Sequence, residues 1–158
     1  MENQVERMPR PLFEDALERT LEDLKQSLED LPFVVADENV RQRLELPRNL
    51  GWVEFRPLSG TELDEFEERR VRSRWRQRDA NDVEMEIIAD WASAFRYLFN
   101  RTITDFEIRL SEDKVVRKSD FRRQEDATNF LCKLHWKLQR FIGLSILKAS
   151  GWEPPRQF

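Results

Sequence analysis

The chain has 158 residues, with 27 Lys and Arg against 31 Asp and Glu and a net charge of −4. Hydrophobic residues make up 39% and charged residues 37%, yet 11 Phe and 5 Trp are more than a disordered chain carries, so a folded unit with an ionic surface and an aromatic core is expected. A single cysteine excludes an intramolecular disulfide framework, and four glycines argue against a protein built of many hairpins. No apolar run approaches the roughly 20 residues of a membrane-spanning helix. Met1 to Arg7 carry acids and no apolar core, unlike a signal peptide, so a cytoplasmic or nuclear location is the expectation.

In chain order, residues 1–10 read as a flexible arm, 11–151 as a single helix-rich domain and 152–158 as an extended tail. Pro11 suits the first turn of a helix. Phe13, Leu17, Leu21, Leu24, Leu28 and Leu31 recur at steps of four and three, which predicts an amphipathic helix over 11–31, stopped by Pro32. The stripe lasts under three heptads, so a face packed on the core is expected ahead of a dimer seam. A homodimer through the Leu17/Leu21/Leu24/Leu28 helix is the alternative.

Phe33-Val34-Val35 reads as a short strand, and Asp37 as the cap of a brief helix through Val40 and Leu44 that ends at Pro47. Trp52 to Arg56 is extended in character. Ser59 or Thr61, with Glu62 or Asp64, offers a capping box for a charged, more exposed helix over about 60–78. Acids lead that segment and arginines close it, with Glu65–Arg69 and Glu68–Arg72 at the favourable i,i+4 spacing.

Asn81 is placed to cap a strong helix over 82–100, with Ile87, Ile88, Trp91, Ala94, Phe95 and Leu98 as its inner face. Phe106, Ile108 and Leu110 then alternate with charged residues as in a half-buried strand. Ser111-Glu112-Asp113 turns into Val115-Val116, a plausible hairpin. Ser119 or Asp120 opens a long final helix over 120–150 with Ala127, Leu131, Leu134, Leu138, Phe141 and Ile142 inward, and Gly151 is its expected stop. The fold expected from these periods is mainly α: one compact domain of three strong helices, a more exposed charged helix and a small β element. Leu24→Asp or Leu134→Asp is expected to unfold the domain or strip its partner.

For chemistry, Cys132 and His135 stand three apart on a helix and offer a thiol beside an imidazole, but a structural role is expected, since the chain has no second Cys or His to complete a zinc site. Asp105 with Glu112-Asp113-Lys114 loosely matches the acid and lysine spacing of metal-dependent nucleases, a pattern that abundant charge produces freely. No glycine loop for phosphate occurs, no cofactor or metal is expected, and catalysis is disfavoured.

The stronger candidates are binding residues. Arg69, Arg70, Arg72, Arg74, Arg76 and Arg78 surround Trp75, a composition that can hold phosphates and stack on bases. Lys133, Lys137 and Arg140 accompany Trp136 near the C-terminus, and Trp152 lies in the tail. Aromatic and arginine residues also anchor protein interfaces. The acidic net charge favours the protein reading, because nucleic-acid-binding domains are usually basic. The sequence therefore predicts a non-catalytic protein–protein interaction or adaptor subunit of a macromolecular assembly, with RNA or single-strand binding through Arg69–Arg78 as the alternative and a metal-dependent hydrolase or nuclease as a weak third.

Overall fold

Period-two alternation between Gly51 and Pro57, and again from Ile103 to Ser111, builds the centre of the fold. The structure, a computed structural model, describes residues 10–79 and 82–154, with side chains for 14–71 and 89–154. Strands β1 (Gln42–Glu45), β2 (Gly51–Phe55), β5 (Ile103–Ser111) and β6 (Lys114–Arg117) form an antiparallel sheet in the order β1-β2-β5-β6. Val53 lies opposite Phe106, and Val53, Phe55, Ile103, Phe106 and Ile108 are buried on one side of the sheet. The chain between β2 and β5 contributes helix α2 (Gly60–Arg70), a separate ribbon of β3 (Val71–Asp79) and β4 (Asp82–Ala89), and helix α3 (Trp91–Thr102). Helices α4 (Gln124–Leu131) and α5 (Trp136–Ala149) follow β6. Ala94, Leu98 and Phe99 of α3, Leu131 of α4, and Ile142, Ile146 and Leu147 of α5 complete the core with the sheet.

By its contacts the chain divides into two compact units, Met1–Val34 and Val35–Phe158. The first contains helix α1 (Arg10–Ser27), continued by a 3-10 turn over Leu28–Asp30. The second contains the sheet, the ribbon and the other four helices.

The fold is thus a mixed α/β arrangement and not the mainly α domain that helical periodicity predicts. Three segments account for the difference. Residues 71–79 and 82–89 pair as a ribbon, with Arg72 opposite Ile88, Arg74 opposite Glu86 and Arg76 opposite Glu84. The charged helix therefore ends at Arg70, and the next helix starts at Trp91, capped by the Asp90 carboxylate, which accepts from the Ser93 N–H at 3.1 Å. The Asn81 cap lies outside the described residues.

The long final helix is also two helices. His135 Nδ1 accepts from the Lys137 N–H at 3.1 Å and caps α5, while Gln139 Nε2 donates to the carbonyls of Cys132 and Leu134 at 3.0 and 2.7 Å. These side chains supply the partners that a helix break takes from the backbone. Asp37 Oδ1 accepts from the Asn39 N–H in a turn, and Leu44 belongs to β1 and not to a helix. Phe33 to Val35 are irregular, with Val34 and Val35 exposed. The arm expected at residues 1–10 lies outside the described residues except for Arg10, which opens α1.

Ser59 and Glu62 form the capping box of α2: Ser59 Oγ accepts from the Glu62 N–H and Glu62 Oε1 from the Ser59 N–H. Arg56 closes on the same carboxylate at 2.9 and 2.8 Å. The hydrogen bonds from Arg56 hold Glu62 at about 2, below its ordinary 4.5. A depressed carboxylate stabilises the fold above its unfolded pKa, and that contribution is lost as pH falls through the folded one. We expect the urea midpoint of the wild type to fall between pH 4.5 and about 2, and Glu62→Gln to flatten that part of the profile. Equal slopes for the two proteins would show that the pair adds nothing.

Candidate interaction surfaces

Helix α1 carries the first surface. An amphipathic stripe shows which face of a helix is apolar and not what covers it. Here Leu17, Leu21 and Leu24 share one stripe of α1, and Leu28 follows in the 3-10 turn, all within the first unit. Leu134 does pack, half-buried, against the core.

The second surface is a groove of 630 Å³ along α3 and α5. Trp91, Ala92, Phe95 and Arg96 form one wall, and Trp136, Arg140 and Leu144 recur four apart along the other. Phe95 stacks on Phe99 at 5.8 Å between centroids and meets Trp91 at 5.6 Å. Trp136 is 59% exposed. Gly143 permits the close approach of the two helices, since a Cβ there would lie 2.5 Å from Phe95 Cε1. We expect Gly143→Ala to tip the Phe95 ring, reshape the groove and cost about 1–3 kcal/mol. A thermal melt together with tryptophan emission measures both, and an unchanged melt would place the ring elsewhere.

Cys132 lies at this groove, half-buried at the end of α4, and His135 caps α5 beyond it. Burial pushes the Cys132 thiol up, with Arg96 opposing, so the sulfur is kept as a thiol and not as a nucleophilic thiolate. Among the described residues no three His, Cys, Asp or Glu side chains gather as a metal site. Asp105 Oδ1 accepts from the Phe106 N–H, and Glu112 and Asp113 are exposed in the β5–β6 turn, with Lys114 opening β6.

The arginine run is divided by the end of α2. Arg69 lies over the Tyr97 ring at 4.2 Å, and burial, aided by a hydrogen bond to Glu65, pushes the Tyr97 phenol up to about 12. Arg70 holds Glu67 at 2.6 Å and lies over Trp91 at 5.4 Å. Burial works to raise Glu67, but the bonds from Arg70 and Trp152 outweigh it and hold that carboxyl below its ordinary value. The side chains of Arg72, Arg74, Trp75, Arg76 and Arg78 lie outside the described residues. Backbone register nevertheless puts Arg72, Arg74 and Arg76 at alternate positions, on one face of the ribbon.

Lys133 falls in the α4–α5 link and Lys137 lies 5.9 Å from the Trp136 ring, so Trp136, Lys137 and Arg140 share α5 while Lys133 does not. Trp152 folds back: it is half-buried, meets Phe66 edge-on at 6.2 Å and donates to Glu67. The groove escapes sequence reasoning because its walls are some 40 residues apart, although the four-residue spacing of Trp136, Arg140 and Leu144 is visible. Among the described residues no helix is long and apolar enough to cross a membrane. Comparison with models of protein families, with curated proteins and with solved structures finds no match.

Proposed function

We propose that the chain is a non-catalytic protein-interaction subunit of a macromolecular assembly, working through the leucine face of α1, with homodimerisation through Leu17, Leu21, Leu24 and Leu28 as one form of that contact. The observation that carries the reading is an amphipathic helix, with Leu17, Leu21 and Leu24 on one stripe, in a compact unit of its own. An amphipathic helix lays such a stripe into a partner's apolar groove or against another helix. The single cysteine agrees with a cytoplasmic or nuclear site of action.

The test is Leu17→Glu with Leu24→Glu. Both positions lie in the first unit, so the melting of the second unit should match the wild type. The assembly carried by the tagged chain in its native source should be lost. Identical assemblies from wild type and variant reject the reading.

Nucleic-acid binding through Arg69–Arg78 is the second reading. The alternation of Arg72, Arg74 and Arg76 along β3 favours it, because a two-stranded ribbon fits a nucleic-acid groove. Glu84 and Glu86, opposite Arg76 and Arg74, weigh against it. Fluorescence anisotropy with single- and double-stranded RNA and DNA decides the matter. Micromolar binding with a steep salt slope, abolished by replacing the three arginines with Glu, would put this reading first.

A further inference from the structure

We propose that the groove between α3 and α5 is a binding site for a small aromatic carboxylate, with the acid group at Ser93 and Arg96 and the ring between Trp91 and Trp136. The inference goes beyond the reading of α1 and does not rest on it, because every residue it uses belongs to the second unit. At 630 Å³ the groove has the volume of a small-molecule site, and aromatic and aliphatic side chains form most of its walls, as in such sites. Its floor is fixed, since the buried Phe95 ring stacks on Phe99 and is held against Gly143.

The polar groups are few and gathered on one wall. Ser93 and Arg96 stand three apart on α3 and share a face of that helix. Arg96 Nη1 donates to Asn129 Oδ1, a neutral acceptor that aims the guanidinium without cancelling its charge. Among the described residues no carboxylate pairs with Arg96, and the Ser93 hydroxyl has no hydrogen-bond partner. Both residues also border a neighbouring hollow of 400 Å³, which Glu125 lines, whereas the described lining of the groove contains no acid and includes Arg140. An anion is therefore favoured on the side of the aromatic walls. A carboxylate accepts two parallel N–H bonds from a guanidinium, and a flat ring packs on tryptophan faces. A phosphate site instead gathers backbone N–H groups from a glycine loop, and this chain has only four glycines.

The test is a titration of the full chain, isotope-labelled at its five tryptophans, with 2-naphthoate, read from the indole N–H signals in nuclear magnetic resonance. The signals of Trp91 and Trp136, identified with Trp91→Phe and Trp136→Phe, should move together and saturate with a Kd of about 0.1–1 mM. Trp52, which lies under Arg43 on β2, should not move. Arg96→Gln, which can still bond Asn129, should weaken binding by about tenfold, and Ser93→Ala by about threefold. Unshifted Trp52 and Trp152 signals in the unliganded variants show that they fold. Naphthylmethylammonium, with the same ring and the opposite charge, should leave Trp91 and Trp136 in place, and acetate should bind at least about tenfold more weakly than naphthoate. Still signals at Trp91 and Trp136, binding of the ammonium as tight as that of naphthoate, or an Arg96→Gln protein that binds like the wild type overturns the inference. Acetate as tight as naphthoate also overturns it, leaving an adventitious ion only at Arg96.

Discussion

Gly51→Ala should destabilise the second unit by about 4 kcal/mol, which for a chain of this size lowers the melting temperature by about 10 °C. Gly51 opens β2 at φ +116, a conformation that L side chains rarely adopt, and a Cβ there would lie 1.8 Å from the backbone carbonyl oxygen of Glu107. That oxygen belongs to the neighbouring strand, where Gly51 pairs with Ile108. The clash cannot be relieved by turning a side chain; β2 and β5 must separate. The turn before it is already constrained, with Arg48 and Asn49 at positive φ and the Leu46 N–H donating to the Gly51 carbonyl at 2.9 Å. Gly60→Ala is the control, because nothing lies within 4 Å of a Cβ at that first residue of α2. That change should be neutral or stabilise by up to about 1 kcal/mol. Similar melts for the two variants would refute the account of Gly51.

The strands around Gly51 were legible because their pattern has a single interpretation. Trp52 to Phe55 is extended in character and Phe106 to Leu110 alternate, and of the two caps the sequence offers, Ser59 and Thr61, the structure uses Ser59 with Glu62. The ribbon was hidden by a conflict between two periods. Glu65–Arg69 and Glu68–Arg72 satisfy helical spacing across the boundary at Arg70, while the arginines from 70 to 78 recur at every second residue, which is strand spacing. Val83, Met85 and Ile87 alternate with Glu84 and Glu86 in the same way, but the adjacent Ile87, Ile88 and Trp91 can be drawn onto one helical face. Strand pairing resolves that conflict, because each strand supplies the other's hydrogen-bond partners.

The break before α5 had no proline or glycine to announce it. His135 and Gln139 act through backbone hydrogen bonds that composition does not reveal. The apolar stripe of α1 was legible as a helix from its steps of four and three. The groove depends on which helices become neighbours, and that is decided by long-range packing of α3 against α5.

Phe66→Ala should cost about 3–5 kcal/mol, because α2 is fastened to the core mainly at this point. Phe66 is 0% exposed and is the buried residue of an otherwise charged helix, with Leu63 half-buried beside it. Its ring meets Trp152 edge-on, Trp152 meets Trp91 at 6.4 Å, and Glu67 accepts from the Trp152 indole. Removing the ring leaves a cavity under that cluster, and the polar ties of α2 cannot fill it. Those ties, from Arg56 to Glu62 and from Tyr97 to Glu65, would survive in a loosened helix. Phe66→Leu keeps most of the volume and should cost less than about 1.5 kcal/mol. Urea unfolding followed by tryptophan emission tests the difference, because a cavity beside Trp152 lets water reach its indole and shifts the native spectrum to the red. A Phe66→Ala protein as stable as Phe66→Leu, with an unshifted spectrum, would mean that α2 is held by its ion pairs, and the Glu62→Gln profile would then have to show the larger loss.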